Sequence, residues 1–137
     1  MRVVLDTSTV LAALLLPRGR VSWIRDLWAV GRILPLVCRA TIRELVVAFA
    51  YSKFKLDETE IQTLVAAYLP FTETIDVSHE GAREVRLSHD PDERKLLHLA
   101  AIGRAQVLVS GDRAILELAA RVSFAIETAA EFRKRFA

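Results

Sequence analysis

Short β-branched and aliphatic runs alternate along the whole chain with longer stretches whose apolar residues recur every three or four positions, and no other feature constrains the fold as much. An apolar run of four or five residues reads as a buried strand, and an apolar stripe of period 3.6 as a helix laid on it. Strands are expected over residues 2–6, 33–37, 73–77, 105–109 and 124–126. Helices are expected over residues 9–16, 21–30, 41–50, 57–68, 81–87, 114–121 and 129–136, and from Asp90 to a stop at Gly103. Pro17 and Gly19 punctuate the first helix. Asp90-Pro91-Asp92-Glu93 opens the clearest one, with Asp at the N-cap, Pro at the first helical position and Glu at the third. Strands and helices in this rhythm predict an α/β domain with a mainly parallel sheet. Such sheets bind ligands at the carboxyl ends of their strands.

Composition narrows the class. The 137 residues fit a single domain, 1–137, without linker, repeat or low-complexity segment. Hydrophobic residues at 53% and charged residues at 26% exclude a disordered tail. The single cysteine, Cys38, excludes a disulfide framework and a multi-cysteine metal site, and reads as a small apolar filler. The longest apolar run, residues 10–16, is too short to span a bilayer. Only Arg2 is basic ahead of it and no small-residue cleavage site follows, so neither a signal peptide nor a membrane partner is expected, and the default location is cytoplasmic. His79, His89 and His98 share no ligand spacing. Trp28 fits a core stripe, whereas Trp23, five residues earlier, is open to a dimer or partner contact.

The acids lie where the sheet's ligand edge should be. Asp6 ends the first strand and Asp112 follows the fourth. Each is also placed to cap the next helix, which needs no chemistry. Glu44 in Thr41-Ile42-Arg43-Glu44 reads either as the far half of a capping box or as a site acid, and Glu93 after Asp90 is open in the same way. Leu96, Leu97 and Ala100 follow Glu93 at three, four and seven residues, which aims it at the sheet. Asp92 also leads toward that face through Leu96 and Leu99, so periodicity leaves both open. Carboxylates crowded on one edge repel each other unless a cation neutralises them. Oxygen ligands without Cys or His partners select Mg²⁺ or Mn²⁺, the machinery of phosphodiester cleavage. The net charge is only +2, but setting four site acids aside leaves 19 basic residues against 13 acidic ones, a balance suited to a polyanion. Fifteen of the bases are Arg, whose planar fork matches phosphate, although a GC-rich genome gives the same bias. Arg104 and Arg113 flank the acidic edge and are candidates for gripping the phosphates of such a polyanion; as plain solvated arginines they read equally well.

Four segments, in order and spacing, carry a family resemblance. Val3-Val4-Leu5-Asp6-Thr7-Ser8, Thr41-Ile42-Arg43-Glu44-Leu45, Asp90-Pro91-Asp92-Glu93-Arg94-Lys95-Leu96-Leu97 and Val107-Leu108-Val109-Ser110-Gly111-Asp112-Arg113 resemble the PIN-domain family. The branch resembled is the VapC-like ribonuclease toxins of toxin–antitoxin pairs, and the resemblance covers essentially the whole chain. It implies a three-layer α/β/α sandwich around a five-stranded, mainly parallel sheet. It implies a Mg²⁺- or Mn²⁺-dependent endoribonuclease acting on single-stranded RNA, with an antitoxin partner and a frequent homodimer. Carried over residue by residue, it assigns metal binding and catalysis to Asp6, Glu44, Glu93 and Asp112, with Asp92 as the alternative to Glu93, and supporting places to Ser8 and Ser110. The sequence departs from the family pattern at Ser8, where Asn is usual, and at Ala114, where an acid is common. These departures keep open a weakened PIN-like domain that binds RNA or an antitoxin without cleaving.

Two unrelated readings fail on particular residues. A haloacid-dehalogenase-like phosphatase needs a second Asp two residues after the first, where Ser8 stands. A response-regulator receiver needs an acidic pair after strand one and an acceptor Asp after strand three; the chain offers only Asp6 at the first and Ser78-His79-Glu80 at the second.

Overall fold

A computed structural model describes residues 1–16, 18–77 and 83–137. Its centre is a five-stranded sheet, all parallel, in the order β3-β2-β1-β4-β5. The strands are β1 (Arg2–Leu5), β2 (Leu34–Val37), β3 (Glu73–Thr74), β4 (Val107–Val109) and β5 (Ala125–Glu127). Seven α-helices join them among the described residues: α1 (Thr7–Leu15), α2 (Trp23–Ala29), α3 (Arg39–Phe49), α4 (Glu58–Ala66), α5 (Pro91–Ile102), α6 (Arg113–Leu116) and α7 (Ala129–Arg133).

The two-residue period of the strands divides the core. Val3 and Leu5 of β1, with Val107 and Val109 of β4, face α1, α2, α3 and α7 through Val10, Leu14, Ile24, Trp28, Phe49 and Phe132. Val4 and Leu108 face the other way, onto Leu97 and Ala100 of α5 and Ile115 of α6. The result is the expected three-layer α/β/α sandwich. No helix among the described residues is long and apolar enough to cross a membrane.

Local chemistry explains where the elements depart from expectation. Residues 73–77 were expected to form a full strand, but β3 is two residues long. It starts at Glu73 as expected, but its neighbour β2 ends at Val37, where Cys38 caps α3. Ile75 N still donates to Val37 O at 2.7 Å, and beyond that bond β2 offers no extended backbone to pair with. Helix α3 starts two residues before the expected 41, with Cys38 at its N-cap. The expected helix over residues 114–121 is α6 followed by a separate 3₁₀ turn, Ala119–Arg121. Of the helix expected over 81–87, residues Arg83–Leu87 form a 3₁₀ turn, while Gly81 lies outside the described residues, as do His79 and the expected stop at Pro17. Gly103 ends α5 as expected, and a Cβ there would come within 2.8 Å of Leu36 Cδ1 and Leu99 O. Trp28 is buried, donating from Nε1 to Ala67 O at 3.1 Å. Trp23 is half-buried, 6.1 Å from the Phe132 ring centroid and under Arg133 of its own chain.

Arg2 ties the amino edge of the sheet together. It donates to both Glu73 carboxylate oxygens, at 3.2 and 2.9 Å, and twice to Gly103 O, at 3.0 and 2.8 Å. The Arg2 guanidinium holds the Glu73 carboxyl below its ordinary value of 4.5. A carboxyl depressed in the folded state contributes stability that is present above its unfolded value and lost as pH falls through its folded one. Wild type is therefore expected to melt above Glu73→Gln at pH 7, and the two melting curves should converge as pH drops below 4.5. Thermal melts from pH 7 to 3 check this; a constant offset over that range excludes it.

Candidate active site

The carboxyl edge of the sheet gathers the acids because each strand there hands over to a helix or turn led by one. Asp6 follows β1 and caps α1, with Oδ1 accepting from Thr9 N at 2.8 Å. Its Oδ2 accepts from Ser110 Oγ at 2.8 Å and from Gly111 N at 3.4 Å. Asp6 is 9% exposed, so these bonds satisfy a group that is otherwise costly to bury. Ser110, fully buried just past β4, also accepts from Asp112 N at 3.0 Å. One hydroxyl thus locks the β4 turn to the end of β1. Asp112 caps the short α6 through Ala114 N, at 2.9 Å, and is exposed.

Glu44 and Glu93 are not bound up in helix caps. At α3 it is the Thr41 hydroxyl that reaches back to Cys38 N, at 2.9 Å, so the capping-box reading of Glu44 does not hold. Glu44 instead accepts from Thr7 Oγ1 at 2.8 Å and from Lys95 Nζ at 3.3 Å. At α5 the cap is Asp90, accepting from Asp92 N at 2.8 Å and Glu93 N at 3.4 Å. Asp90 N donates to Ser88 Oγ, and the Ser88 hydroxyl donates to Glu93 Oε1 at 2.8 Å. Glu93 is half-buried, while the Asp92 side chain is 74% exposed and paired with Lys95 at 3.1 Å. Hydrogen bonds to Asp92 and, more weakly, Glu44 raise the Lys95 ammonium above the ordinary lysine value, against its partial desolvation.

All five proposed acids, Asp6, Glu44, Asp92, Glu93 and Asp112, line one cavity of about 660 Å³, together with Asp90, Ser8 and Ser110. Arg113, the first residue of α6, is exposed at the same edge. Arg104 does not belong there. It precedes β4, in a left-handed turn (φ 55°) after α5, and every strand of the sheet runs the same way. Its place is therefore the amino edge, opposite the acids, and the expectation that it flanks them is corrected. His89 and His98 are not part of the lining. Thr7, Ser88 and Lys95 were not anticipated as site residues. Only Lys95 left a trace in the sequence, its i,i+3 spacing from Asp92.

The donor set suits a hard divalent ion: carboxylate and hydroxyl oxygens, with no Cys or His. Among the described residues, no three metal-ligating side chains stand close enough to grip one ion directly. An ion such as Mg²⁺ does not require that, since it keeps several waters and takes one or two carboxylates together with substrate phosphate. The acids surround a space wide enough for both, and the residues fit the ion on those terms.

A family model of the PIN domain matches residues 2–114. A search of curated proteins finds no match. Among solved structures, the chain is similar to one in the crystal structure of VapBC2 from Rickettsia felis bound to a DNA fragment from their promoter. The TM-score is 0.64 at 18% identity, covering 93% of this chain and 98% of that one, a likeness of fold.

Proposed function

The chain belongs to the PIN-domain family, and from that premise we propose that it is a Mg²⁺- or Mn²⁺-dependent endoribonuclease that cleaves single-stranded RNA and serves as the toxin of a toxin–antitoxin pair. The observation that carries this reading is the single cavity at the carboxyl edge, ringed by Asp6, Glu44, Asp92, Glu93 and Asp112. Membership of a family of nucleases supports the hydrolytic chemistry. The fold shared with a chain of VapBC2 supports an antitoxin partner, and the homodimer rests on the family resemblance alone.

The roles follow from the contacts. Asp6, Glu44, Glu93 and Asp112 would hold the ion between them, one or two directly and the others through its waters, and the ion when bound supplies Lewis acidity at the scissile phosphodiester and activates water. Asp6 is oriented by Thr9, Ser110 and Gly111, so it meets an incoming cation without rearranging. Ser88 orients Glu93, and Thr7 orients Glu44. Arg113, exposed beside Asp112, is placed for a backbone phosphate, a contact that positions RNA without reading its sequence. Ser8 lines the cavity from the first turn of α1 and is exposed to solvent there.

Purified protein is expected to cut unstructured RNA in millimolar Mg²⁺ or Mn²⁺ and to lose that activity in EDTA. Binding of RNA or an antitoxin with no cleavage under any divalent ion would select the non-cleaving reading instead.

A further inference from the structure

Among the described residues, every acid of the cavity but two accepts hydrogen bonds from neutral donors only. The exceptions are Glu44 and Asp92, which share the ammonium of Lys95 at 3.3 and 3.1 Å. Glu44 lies on α3 and Asp92 on α5, so Lys95 bridges two helices that each carry an acid of the cavity. Among the described residues these are the only ion pairs made by any cavity acid. The ammonium supplies, from within the chain, positive charge that offsets the repulsion between the two carboxylates nearest it.

We propose that Lys95 is a tethered counter-ion, anchored on Asp92, that competes with the divalent metal for Glu44, and so sets how tightly the cavity binds it. This rests on the metal-dependent reading above and adds a residue that controls it. Two arguments support competition rather than simple positioning. The first is Coulombic: a fixed positive charge within about 5 Å of a divalent ion repels it even in a water-rich cleft, by enough to change affinity about tenfold. The second is the choice of side chain. The chain has 15 Arg and only 4 Lys, yet a Lys stands here. Arginine would grip a carboxylate with two parallel bonds, whereas lysine's compact charge on a flexible stem can release its partners and withdraw. With a side chain 34% exposed, Lys95 has solvent to withdraw into.

Titration of the purified full chain with Mn²⁺, followed by calorimetry and by thermal shift at neutral pH, tests the proposal without reference to cleavage. Lys95→Met and Lys95→Gln are expected to lower the Kd for Mn²⁺ about tenfold, by the Coulombic argument above. Without metal, both should melt below wild type because Glu44 and Asp92 lose their neutralising partner. Lys95→Arg keeps the charge and should not bind Mn²⁺ more tightly than wild type. Unchanged or weaker binding in Lys95→Met and Lys95→Gln overturns the proposal, as does Lys95→Arg tightening to the same extent as Lys95→Met. If wild type binds Mn²⁺ and the variants match it, only the role of Lys95 falls. If wild type binds none, the metal-dependent reading falls and takes this inference with it.

Discussion

Asp6→Asn is expected to abolish RNA cleavage and to lower the melting temperature. Removing an outer-shell partner of a metal ligand typically costs 10–100-fold in affinity or activity, so loss of a central carboxylate should exceed about 100-fold. The stability effect follows from the donors around Asp6. Thr9 N, Gly111 N and Ser110 Oγ all point hydrogens at it, from both sides of the carboxylate. An asparagine has one oxygen, so whichever way its amide turns, an N–H faces an N–H or displaces the Ser110 proton. Ser110 cannot simply reverse, because its oxygen already accepts from Asp112 N. A buried, poorly satisfied donor costs about 1–2 kcal/mol. For a domain of this size that lowers the melting temperature by about 3–6 °C. Relief of repulsion among the acids acts in the opposite direction but is weak, because the cavity is wide and open to water. Cleavage and thermal melts on the same preparation check both effects. A folded Asp6→Asn protein cutting at the wild-type rate would mean that Asp6 is only a helix cap.

The layers and the edge that carries the site were legible because they depend on period and order. Val3, Val4 and Leu5 alternate faces in the sheet as a two-residue period requires. Asp6 and Asp112 follow strands, and in a parallel sheet the residues after strands share one edge. The same rule places Arg104, which precedes a strand, at the opposite edge; its nearness in sequence to the β4 motif was misleading. Glu44 was ambiguous because Thr41 and Glu44 have capping-box spacing. That ambiguity dissolves only because α3 begins earlier, after Cys38, a residue type with no marked preference for an N-cap. The contacts of Thr7 with Glu44 and of Lys95 with Glu44 span 37 and 51 residues. Each depends on how α1, α3 and α5 sit on the sheet, which no local pattern encodes.

Glu93→Gln is expected to reduce cleavage about 100-fold, and Asp92→Asn by less than about fivefold, again scaling from the cost of disturbing a metal ligand. The two acids are adjacent in sequence but differ in surroundings. Glu93 tops the stripe that continues through Leu97 into the core, and the buried Ser88 holds one of its oxygens. That restraint fixes a carboxylate inside the cavity before any ligand arrives, which lowers the ordering cost of binding. Asp92 is largely exposed and pairs with Lys95 within its own helix, an arrangement that contributes little on a solvated surface. Glutamine at 93 can still accept from Ser88 through its Oε1, so the fold should survive while the charge is lost. Asparagine at 92 can still accept from Lys95 and leaves Glu93 untouched. Rates measured side by side, with far-ultraviolet circular dichroism to confirm folding, decide the assignment. If Asp92→Asn is the more damaging, the exposed acid is the ligand, and the Ser88–Glu93 bond is then a feature of the α5 cap rather than of the site.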